Sequence, residues 1–201
     1  MKNLIIILFS FFLVAGLQCP KESFINQTST KPEMILPPIS TSGLNTIGCK
    51  IDGKVWIPYS ERGNWLFPGP SFLNAGINRN QNWTLAIVGM QIERQSKNDI
   101  NVIEIYISQL NTDTAFILTK NRKGNFGYYV PIMTPCFTPD PTSCSPAYFT
   151  DESLNNGAVQ ILKFDSIKQI VSGTFYFTVI DSITKIKHEI TDGRFDLRYA
   201  Y

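Results

Sequence analysis

Side chains able to do chemistry are few in this 201-residue chain, and they are scattered. His188 is the single histidine, so any Ser-His-Asp or Cys-His mechanism would have to run through it. Its neighbours at period 2, Ile186 and Ile190, point to a partly covered strand position. No GxSxG elbow supplies a nucleophile. A structural role for His188 is the expectation. The four cysteines, Cys19, Cys49, Cys136 and Cys144, sit on separated segments. In an exported protein they permit disulfides, with three possible pairings. Should Cys19 carry a lipid, one of the other three must stay unpaired. A local pair, Cys136 with Cys144, would close a Pro-rich loop and is favoured. The alternative pins that loop to the first hairpin through Cys49. With one histidine and no CxxC, neither zinc nor any other cofactor is expected.

Two carboxylates on neighbouring strands, Glu93 and Glu104, are the arithmetic candidates for glycoside hydrolysis. Solvated strand faces explain them better. Asp151, Asp192 and Asp196 match no calcium-loop spacing and read as turn or surface residues. The feature with most binding potential is aromatic: Trp65, Phe67 and Phe72, with Trp83 and Tyr59 nearby in sequence, could form a platform for sugars or a partner. Packing of that loop over one end of the core is the competing explanation.

These residues must be positioned by strands, and the clearest strands lie in the tail, QIVSGTFYFTVIDSITKIKHEITDGRFDLRYAY, residues 169–201. Val171, Phe175, Phe177 and Val179 fall on one face, and Ser172, Thr174, Tyr176 and Thr178 on the other. Gly173 interrupts the apolar face and marks a bulge, bend or close approach. Asp181-Ser182 supplies a turn, after which Ile186, His188 and Ile190 alternate with Lys185, Lys187 and Glu189. Asp192-Gly193 is a hairpin signal. Beyond it Phe195, Leu197 and Tyr199 alternate with Arg194, Asp196 and Arg198. The tail therefore predicts three antiparallel strands that need an opposing apolar layer.

SGTFYF and ITDGRFDLRY in this tail, with GCKIDGKVWIP at residues 48–58, resemble an uncharacterised family of lipoprotein-like envelope proteins from the Bacteroidota. The resemblance spans residues 46–201, with the middle matching in strand rhythm alone. It implies a secreted β-domain and brings no catalytic residue with it.

The N-terminus reads as an export signal over residues 1–18: Lys2, then an apolar run from Leu4 to Val14. That run is shorter than the ~20 residues a membrane-spanning helix needs. Cys19 follows where a lipoprotein cysteine stands. Gly16-Leu17-Gln18 fits the lipoprotein pattern poorly, and ordinary cleavage after Gly16 is the rival. The family resemblance tips the expectation to lipidation of Cys19, which would anchor the protein to a membrane without spanning it. Residues 19–45 are Ser-, Thr- and Pro-rich and read as a flexible tether. The N-x-T sequons at Asn26 and Asn82 read as chance in a bacterial protein.

The remaining ~155 residues suit one domain, 46–201, with a substantial core. A net charge of +2 offers no basic stripe for nucleic acid. Charged residues make up 17% of the chain, below the usual quarter, while β-branched and aromatic residues abound. Strands are expected at 46–52 and 54–59, pivoting on Asp52-Gly53, then at 84–93, 100–108, 114–119, 126–130, 148–151 and 157–164, with a long loop at 63–82. In 100–108, Ile103, Ile105 and Ile107 oppose Val102, Glu104 and Tyr106. The Pro-rich stretch 131–145 cannot be an interior strand. About ten strands joined by sequential hairpins indicate an all-β antiparallel sandwich, with a flattened meander barrel as the alternative.

Function follows less directly. The composition and motifs favour an exported, lipid-anchored cell-envelope protein, facing periplasm or cell surface, that binds a glycan or envelope protein or serves structurally. The alternatives are a secreted soluble form, a small carboxylate enzyme acting on glycans, and a barrel-type carrier of an apolar ligand.

Overall fold

The computed structural model of the chain describes residues 33–60, 73–78, 83–92, 100–110, 114–119, 124–131, 148–151, 157–180 and 185–200. The elements within them are all strands. They are β1 (Thr46–Ile51), β2 (Lys54–Trp56), β3 (Tyr59–Ser60), β4 (Leu73–Asn78), β5 (Thr84–Ile92) and β6 (Ile100–Ile107). Then come β7 (Ala115–Ile117), β8 (Phe126–Val130), β9 (Tyr148–Thr150), β10 (Gly157–Asp165), β11 (Ile170–Ile180) and β12 (Lys187–Arg198).

All twelve belong to one hydrogen-bonded sheet whose path runs β2-β1-β12-β11-β9-β8-β6-β5-β3. Every pairing is antiparallel except β3 with β5. The sheet branches because β11 is long. Ile170–Phe177 of β11 pairs with β10, while Val179 and Ile180 pair with β9. One half is thus β2-β1-β12-β11-β10-β7 and the other β9-β8-β6-β5-β4, and the halves fold over each other. A Cβ on Gly89 of β5 would lie 2.9 Å from Trp56 of β2, and one on Gly127 of β8 would lie 2.9 Å from the Phe177 ring of β11. The core sits between the halves, with Leu85, Ile87, Ile103, Ile105, Phe177 and Phe195 all buried. Each such side chain stabilises the fold by roughly 1.5–3 kcal/mol through loss of apolar surface from water. This is the expected all-β layered architecture. The sheet is open, so the meander-barrel alternative is not what forms. An isolated bridge, Gly76 with Ala200, stitches β4 to the segment after β12, through Ile77 N–H to the Ala200 carbonyl (3.0 Å) and Ala200 N–H to the Ala75 carbonyl (3.2 Å).

The two Asp-Gly pairs behave differently. Asp52 (φ 50°) and Gly53 (φ 79°) both occupy the left-handed region, as a two-residue hairpin of primed type requires, and they join β1 to β2. Asp192 is also left-handed (φ 51°), but Gly193 is not, and β12 runs straight through them. The pair forms a bulge. The register slips between Phe175 and Phe177 on the β11 side and between Gly48 and Lys50 on the β1 side. The tail is therefore two long strands rather than three. Gly173 makes the expected close approach, since a Cβ there would meet the Gln160 carbonyl at 2.4 Å.

β4 lies in the segment expected as a long loop. Leu73, Ala75 and Ile77 do alternate with Asn74, Gly76 and Asn78, but Asn, Gly and Ala have weak strand preference, and pairing with β5 overrides it. Residues 33–45, expected within the tether, lie against the domain. Pro37 packs so closely on Gly48 that a Cβ there would sit 2.6 Å from its Cδ. The Asp196 carboxylate accepts the N–H groups of Ser42 (2.9 Å), Gly43 (2.7 Å) and Leu44 (3.2 Å). Asp196 was expected at the surface and is in fact 1% exposed. Burial alone would push its pKa up. The three N–H groups and the Ser40 hydroxyl outweigh that and hold the carboxyl below its usual range.

Candidate functional site

The outward face of β4-β5-β6-β8-β9 carries an unusual row of side chains. In β6 the period-2 placement buries Ile103, Ile105 and Ile107 and turns Glu104 and Tyr106 outward, half-buried. In β8 the sequence FGYYV likewise turns Phe126 and Tyr128 outward, and Phe149 of β9 joins them. Register then brings them together. Glu104 pairs opposite Tyr128, Tyr128 opposite Phe149, and Tyr106 opposite Phe126. The Tyr106 and Phe126 rings stack with centroids 5.1 Å apart and planes 14° apart, and Tyr128 and Phe149 sit 4.8 Å apart at 43°. Cross-strand aromatic pairs of this kind stabilise a sheet by roughly 0.2–1 kcal/mol each.

Two clefts flank the stacked Tyr106–Phe126 pair. The first, about 420 Å³, runs over β4 and β5 and is lined by Asn74, Gly76, Asn78, Thr84, Ala86 and Tyr106. It exists because its floor residues are small: a Cβ on Gly76 would meet nothing within 4 Å. The second, about 220 Å³, is lined by Glu104, Phe126, Tyr128 and Phe149. A third cleft of about 370 Å³ lies at the seam where Asn45, Asn74 and Arg198 meet Tyr199 and Ala200. Asn74 and Ala200 border both it and the first. The outer face therefore offers aromatic rings, amides and a hydroxyl along one continuous shallow track.

The single histidine is part of a different cluster. His188 Nδ1 lies 2.7 Å from Asp52 Oδ2, at the tip of the first hairpin. Asp52 Oδ1 also accepts the Glu189 N–H (2.9 Å), and the Asp52 N–H donates to the Glu189 carbonyl (2.9 Å). Burial acts to raise the Asp52 pKa, but the His188 and Glu189 hydrogen bonds prevail and lower it. Tyr129 and Tyr148 meet the imidazole edge-on, with centroids 5.2 and 4.9 Å away. Burial, with the Asp52 charge adding to it, pushes the Tyr129 phenol up to about 12. Cys49 is a buried free thiol whose pKa burial also raises, so it is a poor nucleophile in the folded protein. The cluster fastens the β1–β2 hairpin to β12.

Of the residues singled out from sequence, Cys19, Cys136, Cys144, Trp65, Phe67, Phe72 and Glu93 lie outside the described residues. Cys49 is a free thiol buried in the core. Tyr59 is buried, and Trp83 is half-buried, with its ring perpendicular to that of Phe164 (5.3 Å, 78°). Among the described residues, no group of three or more His, Cys, Asp and Glu comes together, and no helix is long and apolar enough to cross a membrane. Tyr106, Phe126, Tyr128 and Phe149 escaped the sequence reading. The alternation of 100–108 placed Tyr106 opposite the isoleucines, but the faces of the two short strands at 126–130 and 148–151, and which strands stand side by side, were not legible. Compared with known proteins, the chain matches no family model, no curated protein and no solved structure.

Proposed function

We propose that this chain is an exported cell-envelope protein, lipid-anchored through Cys19, whose β-domain binds a glycan along its outer face without transforming it. The short apolar run before Cys19 supports export and anchoring. So does the resemblance of SGTFYF and ITDGRFDLRY to the lipoprotein-like envelope family of the Bacteroidota. The observation that carries the binding role is the placement of two clefts on one solvent face, on either side of the stacked Tyr106 and Phe126 rings. Pyranose rings present apolar C–H faces that lie against aromatic side chains and hydroxyl rims that hydrogen-bond to amides and hydroxyls. The first cleft supplies Asn74, Asn78 and Thr84 beside Tyr106. A flat strip on a rigid sheet suits an extended chain better than a small enclosed ligand.

The test is calorimetric titration of the domain with a panel of neutral and charged oligosaccharides. At least one is expected to bind, and Tyr106→Ala is expected to weaken it at least tenfold while the variant keeps its β-sheet circular dichroism. Absence of binding across the panel, or binding indifferent to Tyr106→Ala, would remove the reading. Anchoring is tested separately by the mass of the mature N-terminus, which shows a diacylated Cys19 or does not.

A further inference from the structure

We infer that the seam cleft takes a carboxylate, so that the glycan bound along the outer face carries a uronic acid residue at that end. This rests on the glycan reading above and refines it. The cleft of about 370 Å³ is lined by Arg198, Asn45 and Asn74 together with Leu73, Ala75 and Leu197. Along β12, Arg194, Asp196 and Arg198 alternate with inward residues, and the first two are engaged with the protein itself. The Arg194 guanidinium donates to the Asp192 carbonyl (3.0 Å) and reaches the Pro37 carbonyl (3.5 Å). Asp196 holds the backbone of residues 42–44. Arg198 differs. It is exposed, and among the described residues its guanidinium donates to no acceptor. The exposed Asn74 side chain likewise has no hydrogen-bond partner among them.

The backbone around this cation is fixed before a ligand arrives. The Asn45 side-chain oxygen accepts the Arg198 N–H (2.8 Å), which leaves the Asn45 NH₂ to donate. Tyr199 N–H donates to the Gln169 carbonyl (3.0 Å), and the Gly76–Ala200 bridge holds β4, with Asn74, beside the same segment. A frame tied on both sides reduces the ordering that binding must impose. A guanidinium fork makes two parallel N–H···O bonds to a carboxylate, a match that a single sugar hydroxyl does not offer. The flanking amides can donate to the same carboxylate or to hydroxyls beside it, and Leu73, Ala75 and Leu197 add apolar surface for the sugar's C–H groups. Asn74 and Ala200 also border the cleft over β4 and β5, so a chain seated at the seam continues towards Tyr106.

The experiment is calorimetric titration with oligogalacturonate and with xylo-oligosaccharides bearing glucuronic acid, each against its methyl ester, which keeps the backbone and removes the charge. At least one acidic chain is expected to bind roughly fivefold more tightly than its ester, the upper range for an ion pair open to water. Arg198→Gln, which keeps the Cγ lying beside Gly43, should erase most of that preference. Arg198→Lys keeps the charge but loses the fork, and should retain part of it. With the unaltered protein the preference should shrink as salt is raised, a check that needs no variant. No acidic chain preferred over its ester, a preference indifferent to salt, or one that survives in folded Arg198→Gln overturns this inference and leaves the glycan reading standing. Sulfated chains binding more tightly than the carboxylated ones overturn it in the same way. No binding of any oligosaccharide removes the glycan reading, and this inference falls with it.

Discussion

Asp196→Ala should release the N-terminal segment from the domain and destabilise the whole fold. In the folded protein the Asp196 carboxylate, 1% exposed, accepts three backbone N–H groups from Ser42, Gly43 and Leu44. Hydrogen bonds to a charged group are worth about 1.5–3 kcal/mol each when buried. Only the Gly43 bond is fully buried, and water can replace the other two in part, so the total is roughly 2–4 kcal/mol rather than three full bonds. Asp196→Asn keeps one acceptor oxygen for Gly43 but turns an amide NH₂ towards donors, and should lose about half as much. Urea unfolding measures both values. Hydrogen exchange should show the Gly43 amide, protected in the parent, exchanging rapidly in Asp196→Ala. The sign with pH follows from the lowered folded-state pKa. The stabilisation is full above the unfolded carboxyl value, about 3.9, and is lost as pH falls through the lower folded-state value. Asp52 acts in the same direction. The urea midpoint should therefore drop on acidification below about pH 4, and drop less in Asp196→Ala. An unchanged midpoint in the variant, or a Gly43 amide protected as before, would refute the clasp.

Further expectations concern the two Asp-Gly pairs, the hairpin staple and the buried thiol. Gly193→Ala should cost about 1–3 kcal/mol or more, because its Cβ would lie 2.4 Å from the Phe175 ring and 2.5 Å from the Phe175 carbonyl, which cannot move aside. Gly53→Ala meets nothing within 4 Å and should cost only the ~1–2 kcal/mol of a left-handed residue; a larger loss for Gly53→Ala than for Gly193→Ala in urea unfolding would be wrong for this structure. A double-mutant cycle of Asp52→Asn with His188→Gln should give a coupling of about 0.5–1 kcal/mol, kept small because the carboxylate is half-exposed. Zero coupling would show that the 2.7 Å contact contributes nothing. In peptide mapping after alkylation, Cys49 should be labelled only once denaturant unfolds the protein; rapid labelling of the native form would contradict its burial.

Much of the fold was legible because alternation is a local property. β1, β5, β6, β8 and β11 sit where the period-2 pattern places them, and the inward isoleucines of β6 are the ones the pattern names. What was not legible depended on partners distant in sequence. Tyr59 and Trp83 looked like platform material because each adjoins the expected loop; the fold buries Tyr59 and packs Trp83 against Phe164. Asp196 read as an outward polar residue of an alternating strand. Its face is closed by residues 42–44, more than 150 positions away. The aromatic strip shows the converse. Glu104 and Tyr106 were placed opposite the inward isoleucines of their strand, but Phe126, Tyr128 and Phe149 join them only because β6, β8 and β9 stand side by side.

The Asp-Gly pair marks the division most clearly. From sequence, both copies say that the chain can enter the left-handed region, and in both the aspartate does so. At Asp52 the flanking strands are short and nothing crowds the glycine, so both residues turn over and the chain reverses. At Asp192 the strand lies between β1 and β11, which hydrogen-bond to it on both sides up to and beyond the pair. Reversal there would break both ladders, so the extra length is absorbed as a bulge. Side-chain alternation and turn-competent residues determined which segments become strands and where the backbone can bend. Whether a bend reverses the chain, and which outward residues share a surface, was decided by the neighbouring strands, because only they set the number of hydrogen bonds at stake.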